Sequence, residues 1–358
     1  MDAVVALYSE GDHELSEAII ASLSRAVFVE KHGGPAGPAQ RALARISYRV
    51  LKWTTTRRRA ASEDYKGGTF RNPILERTGH PYAWALLGSS SKETESLVEG
   101  GDPMNGPYMM ICPEILKVSD VWDRIFLHSV QSRDVQLRFI WETRATYEAA
   151  RIRLEKGGAV RLKAVAAGTG LSVILAYDRL IKEGHDPVRI TVRITDRDKA
   201  NVEKTGRLLA KLASTRTKAA DAETEGSISA GPEDLFESVT AGGAKYHVVT
   251  AVGILDYLQG FTCDTTERSL RLQHPEEPVN AEHLAAKLGH MTTAAGDLIV
   301  NTYRPHASTR ILELFGRKFD YRNQENLTAL LATADFRTPR LVGSGNMYDV
   351  VVYEKNPA

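Results

Sequence analysis

Apolar positions along the chain fall into two textures that meet near residue 158. From Asp12 to Phe28 the run DHELSEAIIASLSRAVF spaces Leu15, Ile19, Leu23 and Val27 four apart, which predicts one packed helical stripe. A second periodic stretch, QRALARISYRVLKW, follows the break HGGPAGPA. Gly and Pro then punctuate residues 54–112 at KGG, RNP, GHP and GDPMNGP, so that region reads as loop-rich. Helical periodicity returns near Val118 in DVWDRIFLHSV and continues through DVQLRFIWETRATYEAARIRLEKGG, whose final glycine pair suits a helix C-terminus. Residues 1–157 therefore read as a mainly helical N-terminal cap domain.

Beyond residue 158 the runs AVRLKAVAAG, DPVRITVRITD, KYHVVTAVG and GDLIVNTY are short, β-branched and separated by helical stretches. That alternation predicts an α/β domain over 158–358 with a Rossmann-like, doubly wound and mostly parallel sheet. TPRLVGS and YDVVVYEK flank a turn at Gly343–Asn346, which predicts a C-terminal antiparallel hairpin at the sheet edge. Two polar stretches interrupt this half, at 214–231 and 260–283. The second lies after a strand end, where such sheets bind ligands, and reads as a candidate lid.

Composition acts mainly by exclusion. The 358 residues are 42% hydrophobic and 25% charged, which fits globular domains and excludes wholesale disorder. Lys and Arg number 46 against 45 Asp and Glu, a net charge of +1. That balance removes the electrostatic case for a nucleic-acid or membrane partner and leaves a small molecule as the expected ligand, with a homodimer allowed. Cys112 and Cys263 lie in no metal-spaced pattern, so two thiols and no metal are expected. The N-terminal stretch carries acids and no basic leader, and no apolar run approaches the length of a membrane span, so the expected location is cytoplasmic.

The strongest chemical signal is RLKAVAAGTGLSVILAYDRL, a strand running through Ala166, Ala167, Gly168, Thr169 and Gly170 straight into a helix. Small residues there let backbone amides and the helix N-terminus touch a ligand, although a glycine turn in this place also serves packing alone. Neither G-x-x-x-x-G-K-[ST] nor a complete G-x-G-x-x-G is present, and Val173 stands where the third glycine of a nicotinamide-binding fingerprint belongs. The next strand-like run ends at Asp196, 26 residues past Gly170, where a carboxylate can accept from both ribose hydroxyls. Asp198 either shares that task or caps the following helix.

In these segments the chain resembles the class I S-adenosylmethionine-dependent methyltransferases. The resemblance covers roughly 159–355 and rests on AVAAGTG, ITDRD, YHVVTAVGILDYL and AAGDLIVNTY in that order, with the closing hairpin supplying the antiparallel final strand. It implies S-adenosylmethionine as co-substrate, with no metal. Ala166, Ala167, Gly168 and Gly170 would hold its methionine part, Asp196 its ribose, Asp234 or the neighbouring Glu233 its adenine, and Ala251, Val252 and Gly253 would line the donor and acceptor pocket. One departure stands out: the acidic residue usual at the end of the first strand is Ala164, and Ala166 replaces the first glycine.

Residues after the fourth and fifth strands should face the acceptor. Tyr257, Asn301, Tyr303 and His306 are therefore the catalytic candidates, with a His or Tyr taking the acceptor proton. Asp256 reads as a cap, Tyr257 equally as a packed residue and His306 equally as an exposed loop residue. In the cap, nine Lys or Arg and two acids between Arg41 and Arg71 would greet an acidic molecule or form a solvated face. Tyr82, Trp84, Tyr108 and Trp141 would line an aromatic pocket or fill core.

The expected function is an S-adenosylmethionine-dependent transferase acting on a small molecule, as in natural-product biosynthesis, with methyl transfer the first expectation. Ala164 keeps open 3-amino-3-carboxypropyl transfer, or cyclisation of that arm, with release of methylthioadenosine. A non-catalytic protein that binds S-adenosylmethionine is the reading from another class.

Overall fold

A period of two sorts the strand side chains onto two buried faces. In β1 (Val160–Ala164), Val160, Leu162 and Ala164 enter one apolar cluster, while Val165 just beyond belongs to the cluster on the opposite face. The same split separates Val248 from Val249 in β4 (Tyr246–Thr250) and Ile299 from Leu298 and Val300 in β5 (Thr292–Asn301). It also separates Val350 and Val352 from Val351 and Tyr353 in β7 (Asp349–Glu354). Strands apolar on both faces need helices on both faces, and this requirement builds a doubly wound layer structure.

The computed structural model describes residues 21, 23–29, 34–58, 129–168, 170–197, 199, 202–203, 205–207, 209–210, 228–233, 235, 243–255, 281–314, 320–337 and 339–357. With β2 (Ile190–Asp196), β3 (Ile228–Pro232) and β6 (Arg340–Ser344), the strand order is β3-β2-β1-β4-β5-β7-β6. The first five are mutually parallel, and β7 runs antiparallel to both β5 and β6. Helices α2 (Val130–Glu155) and α3 (Leu171–Lys182) cover one face. Helices α4 (Ala281–Met291) and α6 (Gln324–Ala332) cover the other, and α1 (Pro38–Arg58) lies against α5 (Ala307–Leu314).

Three sequence expectations shift. The polar interruption at 214–231 contains a strand, β3, at the sheet edge, where the sparse apolar content of ISAGP suffices. Strand β5 starts at Thr292, ahead of GDLIVNTY, and its register against β4 slips around Ala295 and Gly296, with Ala295 at φ 52°. Helix α1 runs on to Arg58, into the stretch read as loop-rich. The hairpin forms, and its second strand slots between β5 and β6, leaving β6 on the edge.

Helix α2, at the end of the N-terminal sequence texture, packs along α3 and the sheet. The N-cap Ser129 side chain accepts from the Ser132 N–H, and the last turn closes on Gly157 at φ 84° before β1 begins. Its 26 residues span about 39 Å, whereas the five residues of β1 span about 17 Å. Since α2 enters β1 at its amino end, the N-terminal half of α2 overshoots the carboxyl edge of the sheet. Asp134 in that half accepts from the Met347 N–H at 2.5 Å and from Asn346 Nδ2 at 3.2 Å, tying the helix to the β6–β7 turn. Leu23 and Val27 of the first periodic stretch are buried, and Arg144 on α2 donates to the Val27 carbonyl at 2.7 Å. Among the described residues no helix is long and apolar enough to cross a membrane.

Candidate functional site

The switch point of the sheet lies between β1 and β4, because the chain leaves β1 for β2 on one side and returns to β4 on the other. Open α/β sheets bind ligands at the carboxyl edge of that gap. The loop leaving β1 takes left-handed backbone at alternate residues, with Ala166 at φ 47°, Gly168 at 55° and Gly170 at 61°. Backbone bonds hold it: Ala167 N donates to Thr195 O at 3.1 Å and Gly170 N to Ala167 O at 2.8 Å. A Cβ on Gly170 would stand 2.5 Å from Ile194 Cγ2, so glycine is required there by space as well as by φ. At Ala166 the same backbone carries a methyl group, a conformation that costs an L-residue about 1–2 kcal/mol.

Asp196 ends β2 beside this loop, and its Oδ2 accepts from the Gly168 N–H at 2.8 Å. The strand-two acid and the glycine turn are thus one hydrogen-bonded unit. Glu233, after β3, pairs with the buried Lys163 ammonium at 2.6 Å. Asp198, Asp234, Asp256 and Tyr257 lie outside the described residues, as do Tyr82, Trp84, Tyr108, both cysteines and residues 260–280 of the candidate lid.

Across the gap, Ala251 N donates to Ile299 O at 2.9 Å and carries β4 into a turn where Gly253 takes φ 83°. Asn301, at the end of β5, is buried and accepts from the Gly253 N–H at 2.6 Å while its Nδ2 donates to Thr302 O at 3.0 Å. Its amide shapes the 251–253 turn. Tyr303 is buried between Tyr348, stacked at 4.9 Å, and Tyr321 at 5.2 Å, within a small cluster that includes Met347. Trp141 packs on Gly343 of β6, away from the gap.

His306 follows β5 and sits half-buried at the start of α5. Its Nδ1 accepts from the Ser308 N–H at 3.2 Å, which places the proton of the neutral ring on Nε2. Burial pushes its pKa down, and Arg45 and Arg41 of α1 push it further in the same direction. The Nε2 atom is buried with no hydrogen-bond partner among the described residues. As arranged, His306 offers an N–H.

Two side chains of α2 reach the same edge, and sequence reading passed over both. Arg138 Nη1 stands 3.3 Å from where a Cβ on Gly253 would be, with its guanidinium over the Tyr348 ring at 4.6 Å. Glu142 Oε1 accepts from Ser172 Oγ at 2.7 Å, in the first turn of α3 just past the glycine loop. Burial pushes the Glu142 carboxyl up to about 7, against the opposing pull of Ser172 and Arg138. The only signal for them in the sequence was their i, i+4 spacing on a helix that turns out to be packed.

No family model and no curated protein matches the chain. Among solved structures, a protein of Bordetella parapertussis titled a "possible exported protein" aligns at 13% identity and TM-score 0.52, over 90% of this chain and 99% of that one. The DszA carbon methyltransferase aligns at 15% identity and TM-score 0.49, over 96% of each chain. The magnesium protoporphyrin IX methyltransferase ChlM of Synechocystis PCC 6803, solved with bound S-adenosylhomocysteine, aligns at 12% identity and TM-score 0.38, over 62% of this chain and 87% of that one. With five parallel strands, a reversed β7 slotted between β5 and β6, and a glycine loop at the switch point, the chain has the class I S-adenosylmethionine-dependent methyltransferase fold.

Proposed function

We propose that this protein transfers the methyl group of S-adenosylmethionine to a small-molecule acceptor, a specialised metabolite, at the carboxyl edge of the sheet between β1 and β4. The observation that carries the reading is the Gly168–Asp196 unit at the switch point: a close-approach backbone loop locked to a carboxylate. The loop and the N-terminus of α3 suit the methionine part, and Asp196 suits the ribose hydroxyls. The sulfonium supplies an activated methyl carbon; an acceptor lone pair takes it in line as sulfur keeps the bonding pair. Asn301 sets the 251–253 wall, and the His306 N–H serves to orient a polar acceptor. Acceptor choice falls to the N-terminal helices, whose Arg41 and Arg45 stand close enough to His306 to depress its pKa.

One observation favours a second reading. Ala164 stands where the family carries a carboxylate, which leaves β1 without a fixed partner for the amino acid arm and suits transfer or cyclisation of that arm. Incubation of the protein with S-adenosylmethionine and a small-molecule extract, read by mass spectrometry, separates the two. S-adenosylhomocysteine is the expected product, and methylthioadenosine above the no-enzyme background would transfer the assignment to the second reading. Absence of both, with no thermal shift on adding S-adenosylmethionine, would overturn both.

A further inference from the structure

Asp134, Arg138 and Glu142 stand four residues apart on α2 and form one polar stripe along the part of the helix that overshoots the sheet. Asp134 is occupied with the β6–β7 turn. The other two straddle the switch point, Arg138 beside Gly253 on the β4 side and Glu142 on Ser172 at the exit of the glycine loop. One helix therefore presents a cation and an anion one turn apart, about 6 Å, to the gap where the amino acid end of S-adenosylmethionine would rest.

We propose that Glu142 and Arg138 form a zwitterion clamp for that end, Glu142 holding the α-ammonium and Arg138 the α-carboxylate, so that α2 supplies the carboxylate missing from position 164. The inference rests on the S-adenosylmethionine reading of the site. Three independent features meet in it. Position 164 is a buried methyl group, so it offers the ammonium no side-chain carboxylate. Ser172, which donates to Glu142, directs the carboxylate toward the loop that the methionine part would follow. Burial raises the Glu142 carboxyl against the pull of Ser172 and Arg138, and a bound ammonium would offset that desolvation. An arm gripped at both charged groups is an anchor, and the methyl group is then the carbon left to face the acceptor.

The test is calorimetric titration of the full chain with S-adenosylhomocysteine, with methylthioadenosine, which lacks the arm, and with decarboxylated S-adenosylhomocysteine, which lacks only the carboxylate. The wild type should bind S-adenosylhomocysteine about 100-fold more tightly than methylthioadenosine. Glu142→Gln should weaken S-adenosylhomocysteine at least about tenfold and leave methylthioadenosine unchanged. Arg138→Met should weaken S-adenosylhomocysteine and leave the decarboxylated compound unchanged. Equal losses for ligands with and without the arm, or no loss in either variant, would overturn the clamp while leaving the cofactor reading in place. Failure of the wild type to bind any of the three would overturn the cofactor reading itself, and the clamp with it. Should the variants not fold, the wild type decides. Equal affinity of the wild type for S-adenosylhomocysteine and methylthioadenosine would overturn the clamp.

Discussion

Asp196 couples cofactor recognition to loop shape, because the carboxylate placed to meet a ribose also accepts from the Gly168 N–H. Asp196→Ala should therefore weaken S-adenosylhomocysteine binding by about 1–3 kcal/mol in calorimetry with the melting temperature little changed. Asp196→Asn should lose less, since its amide oxygen still accepts from Gly168. Ala166 invites the opposite experiment. Its φ of 47° costs an alanine about 1–2 kcal/mol, and glycine there removes that strain while adding about 0.5–1 kcal/mol of unfolded-chain entropy. Ala166→Gly should thus leave stability equal or up to about 1.5 kcal/mol higher in urea unfolding; a loss would mean that the Ala166 methyl group makes contacts worth more than its strain. Gly170→Ala should lose about 2 kcal/mol or more in the same assay, because φ 61° and Ile194 at 2.5 Å act together.

At the scale of elements, strands were legible where burial on both faces forced continuous apolar runs. VRLKA and ITVRITD place their alternate apolar residues in one cluster, and YHVVT and DVVVYE divide theirs between the two. Edge strand β3 was not, because one covered flank and a single buried residue, Gly231, leave ISAGP little pattern to show. The same reasoning explains the site. Backbone-built parts, the glycine turn and the acid after it, have fixed spacing and could be read. Arg138 and Glu142 depend on which face of α2 meets the sheet, and a charged pair at i, i+4 looks in sequence like a solvated face. Asn301 and Tyr303 were singled out by position at and just past the end of β5, and their hydrogen bonds and ring stacking emerge only once β5, β7 and the turn at 251–253 are brought together. Asp134 shows how such contacts bind elements: Asp134→Ala would strand the Met347 N–H and the Asn346 amide, costing about 1–3 kcal/mol. Hydrogen exchange should then quicken at the β6–β7 turn while the β1–β2 amides stay protected.

For the whole molecule, the carboxyl groups that burial raises make protonation and folding cooperate. Glu142, ordinarily near 4.5 and pushed up to about 7, binds its proton more tightly in the folded state than in the unfolded one. Its contribution therefore favours the fold below about pH 4.5 and is withdrawn as pH rises toward 7, to a limit of about 3 kcal/mol. Asp134 and Asp297 act in the same direction, whereas half-buried His247 and His306, with lowered pKa values, oppose folding as pH falls below 6.5. The net profile mixes these signs, and the difference between wild type and Glu142→Gln isolates one of them. In urea unfolding without ligand, Glu142→Gln should gain stability relative to wild type steadily from about pH 5 to about pH 7, then hold its advantage. Saturating S-adenosylhomocysteine should erase that advantage, because an ammonium beside Glu142 stabilises the ionised carboxylate that the empty cleft penalises. A difference that stays constant with pH in the free protein would show that Glu142 is ionised throughout, and that α2 carries its charge in contact with water.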